Sequence, residues 1–148
     1  KADCLDLPDM VYTKREVEMT KQQKKYYGEL KKYMVLQAAG EEITAVNAAA
    51  NMNKLLQISC GAIYTDKGDA LEFDVKHRYK VLREVIDESS QKVLVFVPFR
   101  HAISILSNKL TADNISNEII QGNVSAPRRT EIFKAFQEQQ YCGVVGSN

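Results

Sequence analysis

Tryptophan is absent from the 148 residues, and only two histidines, three prolines and three cysteines are present. Each scarcity removes a class of function. His77 and His101 are too few for a metal site built on imidazole, and no cysteine stands at metal-ligand spacing from another. Cys4, Cys60 and Cys142 are odd in number and give no complete disulfide framework, so a reduced, intracellular protein is the expected setting. No apolar run approaches the roughly 20 residues that span a bilayer, so no membrane association is expected. The first residues, KADCLDLPDM, lack the charged and apolar regions of a signal peptide and also lack an initiator Met. The chain stops at YCGVVGSN, where an apolar strand would deliver it to a functional loop, and a fragment of a longer protein is expected.

Charge of one sign is also missing in bulk. A net charge of +1 excludes a binder of the histone-tail kind, so any basic function must be focal. No Gly-x-x-x-x-Gly-Lys-Ser/Thr loop, Gly-x-Gly-x-x-Gly turn or Gly-x-Ser-x-Gly elbow is found, which removes three common routes to nucleotide binding or nucleophilic catalysis. The acidic pair in DESS, Asp87 to Ser90, ends an amphipathic helix. A metal-holding carboxylate of the Walker-B kind should follow an apolar strand, so a solvated helix end is the better reading.

What is present is an ordinary globular composition, 45% hydrophobic and 26% charged, enough for one core. Met10 to Met19 alternate imperfectly and predict a strand. Thr20 and Gln23 form a capping box ahead of a helix whose stripe is Tyr26, Leu30, Tyr33 and Met34 and whose end is Gly40. The tyrosines are thereby expected toward the core, and Lys21, Lys24, Lys25, Lys31 and Lys32 toward water; aromatic and basic residues together leave nucleic-acid binding a weaker alternative for this helix. A second helix is predicted over 45–59, capped by Thr44, with Val46, Ala49, Ala50 and Leu56 on one side and Gly61 past its end. AIYTDKGDALEF predicts a small hairpin or ordered loop.

From Val75 helix and strand alternate. Val75, Tyr79, Leu82 and Ile86 mark a helix; Lys92 to Pro98 reads as a strand buried on both faces. Ala102, Ile105, Leu106 and Leu110 mark a helix, Ile115 to Gln121 a strand, Ile132, Phe133 and Phe136 a helix, and Cys142 to Val145 a strand. Helices between strands imply right-handed crossovers and a parallel sheet. The expected class is α/β, preceded by a mainly helical segment, with a lead-in strand and helices over 1–74 and the α/β part over 75–148.

Ligands of open parallel sheets bind beyond the carboxyl ends of the strands, at helix N-termini whose free N–H groups attract anions. Phe99, Arg100 and His101 follow one strand; Gln121, Gly122 and Ser125, then Arg128 and Arg129 after Pro127, follow the next. Cations in a helix's first turn oppose the macrodipole unless an anion sits there. A bound phosphate would reverse that penalty. Pairing of Arg128 or Arg129 with Glu131, Glu118 or Asp113, or plain solvation, would explain the same residues with no ligand at all.

The ordered series KVLVFVPFRHAISILSNKL, a strand, and QGNVSAPRRTEIFKAFQ resembles the second RecA-like lobe of superfamily-two helicases, most of all the Swi/Snf-type branch and its short phage and bacterial members. Gly122, Arg129, Ile132 and Phe136 match a Gly, Arg, Ile, Phe pattern of that branch. LPDMVYTKREVEMTKQQKKYYGEL is similar to its Leu-Pro, strand, Thr-x-x-Gln, Tyr lead-in, and NKLLQISCGAIYTD to its Leu-x-Gln-x-x-x-Gly segment. The resemblance implies an incomplete RecA-like three-layer parallel sheet behind a helical protrusion, in a DNA-dependent ATPase and translocase of double-stranded or branched DNA. ATP and Mg2+ would serve the full-length parent, across a cleft shared with the missing first RecA-like lobe. The later motifs with the arginine finger would begin after Asn148, so no catalytic residue is expected in this chain and no ATP hydrolysis by it alone. The same resemblance makes Phe99, Arg100, His101, Gln121, Gly122, Ser125, Arg128 and Arg129 the candidate nucleic-acid contacts, with Arg129 equally able to brace the lobe. It implies a cytoplasmic setting, that of the bacterial host if phage-encoded. A non-motor α/β module for ligand or protein binding stands as the alternative, because this fold hosts many functions.

Overall fold

The computed structural model describes residues 9–40, 45–65, 69–138 and 142–146. Thr44, the centre of the 65–69 turn, Cys4 and the Leu7-Pro8 pair lie outside them. Two helices come first, α1 (Lys21–Gly40) and α2 (Ala45–Cys60), then an antiparallel hairpin, β1 (Ala62–Tyr64) and β2 (Ala70–Glu72). Next follow α3 (Lys76–Glu88), β3 (Leu94–Val97), α4 (Arg100–Ala112), β4 (Asn117–Ile120), α5 (Ala126–Glu138) and β5 (Cys142–Gly146).

Residues 9–20 form no strand, contrary to their alternation. They run as irregular chain over α3: Thr13, Arg15 and Val17 face Arg78, Val81, Leu82 and Val85 across an open groove of ≈ 490 Å³. Arg15 pairs with Glu88 at the far end of α3. Alternation alone makes a strand only when a neighbouring strand supplies the ladder, and here a helix is the neighbour.

The predicted capping box is present and does more than cap. The Thr20 N–H donates to Gln23 Oε1 at 3.1 Å, and the Gln23 N–H reaches Thr20 Oγ1 at 3.4 Å. The same Gln23 amide donates through Nε2 to the carbonyls of Ile58 and Ser59, at 2.9 and 3.3 Å, in the last turn of α2, where carbonyls have no partner in their own helix. Thr20 Oγ1 donates to Asp74 O at 3.0 Å. One buried pair thus joins the start of α1, the end of α2 and the lead into α3. Gly61 then turns the chain with φ +111; a Cβ there would lie 2.3 Å from Val75 Cγ1, so both conformation and space require glycine.

Two expected faces are corrected. On α2, Leu55, Gln57 and Ile58 are buried while Ala49, Ala50 and Leu56 face water, because the helix packs through its last turns against α1 and the hairpin. On α1 the five lysines are exposed as expected, but Tyr33 is 56% exposed and Tyr26 lies at the margin with its ring tilted against Phe73, centroids 5.1 Å apart. Leu30 and Met34 take the inner side. A tyrosine keeps its hydroxyl wet when its ring can rest on a neighbour.

The second half is α/β, as the alternation implies. The sheet is parallel with order β3-β5-β4, Val97 level with Gly146 and Ile120 with Val145. Its core is Val97, Ala102, Ile103, Leu106 and Leu110, joined by Tyr79, Leu82 and Ile86 of α3, by Val93 just before β3 and by Val95 and Ile119 of the strands. Left-handed Asn114 (φ 59) ends α4. Side chains of a strand alternate between faces, so Lys92, Leu94, Phe96 and Glu118 point away from that core. There Arg128 of α5 reaches Glu118, and Lys92 lies over the Phe136 ring and donates to Gln137 O. Helices therefore lie on both faces. The reading of β3 as buried on both faces fails, since Leu94 is 50% and Phe96 73% exposed on that face.

Replacing Gln23 with Glu keeps an acceptor for Thr20 and removes the donor to Ile58 and Ser59. Chemical denaturation of this variant is expected to show a loss of about 2 kcal/mol, against a much smaller loss if only the cap mattered. The Tyr79 hydroxyl donates to Asp113 Oδ2 at 2.6 Å, with Lys109 O a second acceptor within reach at 3.0 Å. Burial first, then the Asp113 carboxylate, pushes its pKa up to about 12. A raised folded pKa gives stability that is complete below the unfolded value near 10 and is lost as pH climbs toward 12. Urea midpoints measured above pH about 10 should therefore fall in the wild type and fall less in Tyr79→Phe.

Candidate functional site

Because β3 and β4 are parallel and end within one residue of each other, their loops emerge on one edge of the sheet, separated by β5. At the spacing of adjacent strands this puts them about 10 Å apart. The sequence-predicted residues are thereby divided into two loops on a common rim.

At the first loop Pro98 and Phe99 lead into α4, whose N-cap, Phe99, offers no side-chain cap. Phe99 is half-buried and packs on the core cluster. Arg100 is exposed and, among the described residues, has no ion-pair partner. The His101 N–H, a free donor of the first turn, points at Tyr64 Oη at 3.4 Å, and the Tyr64 ring stands edge-on to the imidazole at 5.2 Å. Tyr64 is in turn held by the buried Gln57, whose Oε1 accepts the Tyr64 N–H at 3.0 Å. Tyr64 was missed by sequence reasoning. Its hairpin was legible, but no spacing rule links residue 64 to residue 101.

The second loop is closed from inside. Arg129 donates through Nε to Val124 O at 3.0 Å and through Nη2 to Gln121 O at 3.1 Å, and the Val124 N–H also reaches Gln121 O at 3.0 Å. Ser125 caps α5 as expected, its Oγ accepting the Arg128 N–H at 3.4 Å. Gly122 is exposed and is not among the positive-φ residues, so it serves no left-handed turn. Arg128 pairs with Glu118 at 3.1 Å and Glu131 at 3.2 Å, and these carboxylates, Glu131 foremost, raise its pKa.

The two arginines are thus answered by different partners. Arg129 is a backbone brace for 121–124, and Arg128 has its charge offset by two carboxylates, which removes the helix-dipole conflict with no anion needed. Among the described residues of these two loops, Arg100 is the cation left without an offset. No group of three or more His, Cys, Asp or Glu that could hold a metal occurs among the described residues. No helix among the described residues is long and apolar enough to cross a membrane.

The class defined by this architecture is a mixed α/β fold, a small parallel sheet with helices on both faces behind a helical pair, consistent with a RecA-like fold. It is shared with the C-terminal domain of the Sulfolobus solfataricus SWI2/SNF2 ATPase, which it matches with a TM-score of 0.70 at 19% identity over 89% of this chain and 61% of that one. The Sulfolobus solfataricus SWI2/SNF2 ATPase core in complex with dsDNA matches with a TM-score of 0.71 at 19% identity, over 88% of this chain and 29% of that one. In sequence, the chain is 32% identical over 108 residues to putative protein p41 of Acyrthosiphon pisum secondary endosymbiont phage 1, which covers 71% of this chain and 23% of that protein. The chain thus spans about a quarter of that relative's length. No family model matches it.

Arg129→Ala should accelerate hydrogen exchange at the Val124 amide and lower stability by about 1 kcal/mol, whereas Arg128→Ala, at an exposed ion pair, should change stability by less than that. Equal effects at the two positions would contradict the division of roles.

Proposed function

We propose that the chain is the second lobe, in large part, of a Swi/Snf-type superfamily-two DNA-dependent ATPase of phage or bacterial type, and that its part is to hold the duplex backbone. The observation that carries this reading is the fold likeness, over 88% of the chain, to an ATPase core solved with dsDNA. The phage origin of the sequence relative favours a phage-type parent.

In this reading Arg100 is the principal cation of the rim, meeting phosphate beside the free N–H groups of the first turn of α4. His101 and Gln121 flank it, and Ser125 and Gly122 expose hydroxyl and backbone at the second helix start. Such contacts position a duplex without reading its sequence. Arg129 shapes the second loop and Phe99 the first, while Arg128 would meet phosphate only by exchanging its carboxylate partners. ATP, with Mg2+, is bound across the cleft with a first lobe in the parent protein.

In the parent ATPase, Arg100→Ala should raise the DNA concentration for half-maximal stimulation about tenfold, the scale of one lost phosphate contact. Arg128→Ala should do much less. Wild-type DNA stimulation in Arg100→Ala would remove Arg100 from the interface.

A further inference from the structure

Helix α1 carries a glycine for which the fold supplies no reason. Gly28 lies in mid-helix, where glycine is destabilising relative to alanine. A Cβ built on it meets nothing within 4 Å, so neither packing nor backbone conformation demands its absence. Around it the sequence is Lys24-Lys25-x-x-Gly28-x-x-Lys31-Lys32.

Residues three and four positions away on a helix lie on the same face. The two lysine pairs therefore flank Gly28 from above and below, about 10 Å apart along the axis. With Lys21 and Val35 they occupy about a third of the helix circumference, opposite the inward side that carries Gln23, Leu30 and Met34. All five lysines are exposed. Lys24 pairs with Glu18 at 2.8 Å; Lys21, Lys25, Lys31 and Lys32 have no ion pair among the described residues. The one acidic residue of α1, Glu29, sits at the margin of the face. A shallow apolar depression bounded by Gly28, Lys31, Lys32 and Val35 lies on the C-terminal side of the glycine.

We propose that this face is a second nucleic-acid backbone site, in which a phosphate strand crosses α1 at the Gly28 saddle between the two lysine pairs. The missing side chain lets the strand approach the helix, and the lysines act as point charges without base readout. The identity of the polyanion rests on the function proposed above. The site itself is separate from the rim of the sheet, on a different element.

The test uses the full chain, a random-sequence duplex of about 20 base pairs and fluorescence anisotropy at about 50 to 200 mM KCl. Lys25→Gln/Lys32→Gln should bind about tenfold more weakly at the low-salt end, with the slope of log K against log salt reduced by about 2. Gly28→Leu should bind several-fold more weakly although its melting temperature rises, a combination that a purely structural glycine would not produce. Lys80→Gln, on α3, should bind as wild type. Wild-type affinity and salt slope in both α1 variants would overturn the proposal. If those variants bind normally while Arg100→Ala does not, the saddle falls and the rim reading stands; if the wild-type chain binds no duplex, both fall. Loss of binding to a Glu-rich peptide with duplex binding unchanged would also overturn it, in favour of a protein partner.

Discussion

The amide of Gln23 is the interaction on which the arrangement of this chain depends. Its oxygen completes the cap of α1 and its nitrogen satisfies the exposed carbonyls at the end of α2, all in a buried setting where an unmade hydrogen bond is costly. Just beyond that helix end, Gly61 brings the chain against Val75, and Phe73 N–H bonds to Gly61 O at 2.8 Å. The hairpin and the start of α3 are thereby held against the helical pair. Ala62, Val75 and Ile105 form a small core of their own, which carries the helical half onto α4.

From that junction the geometry of the rim follows. Gln57, one turn before the end of α2, holds the backbone of Tyr64, and Tyr64 stands against the start of α4 beside His101. The Leu-x-Gln-x-x-x-Gly segment is therefore a support for the loop after β3, acting through Tyr64. Arg129 has the same kind of role at the loop after β4. Most of the polar contacts near the sheet edge shape backbone, while Arg100 stands exposed with no ion-pair partner among the described residues.

Legibility in the sequence varied with the range of the cause. Helix existence, the capping box, the hairpin and the strand–helix alternation rest on neighbours within a few residues, and each is present. The 9–20 segment was misread because its alternation had no strand partner, which only the tertiary neighbourhood reveals. Leu56 and Leu55 are equally apolar and adjacent, and only the packing of α1 and the hairpin decides which is buried. Phe96 reads as core by composition and stands exposed, because burial depends on what the fold lays over that face of the sheet and not on the apolar run itself.

Local chemistry by itself determined the class of this chain: helices first, then a parallel α/β sheet, with two cation-bearing helix starts after successive strands. The strand order β3-β5-β4, the apposition of Tyr64 and His101, and the separate fates of Arg128 and Arg129 were decided by tertiary structure. The physical reason is that two adjacent arginines on a helix point about 100° apart. One side chain meets carboxylates and the other meets backbone carbonyls, and no periodicity in the sequence encodes which partners the fold will bring to each.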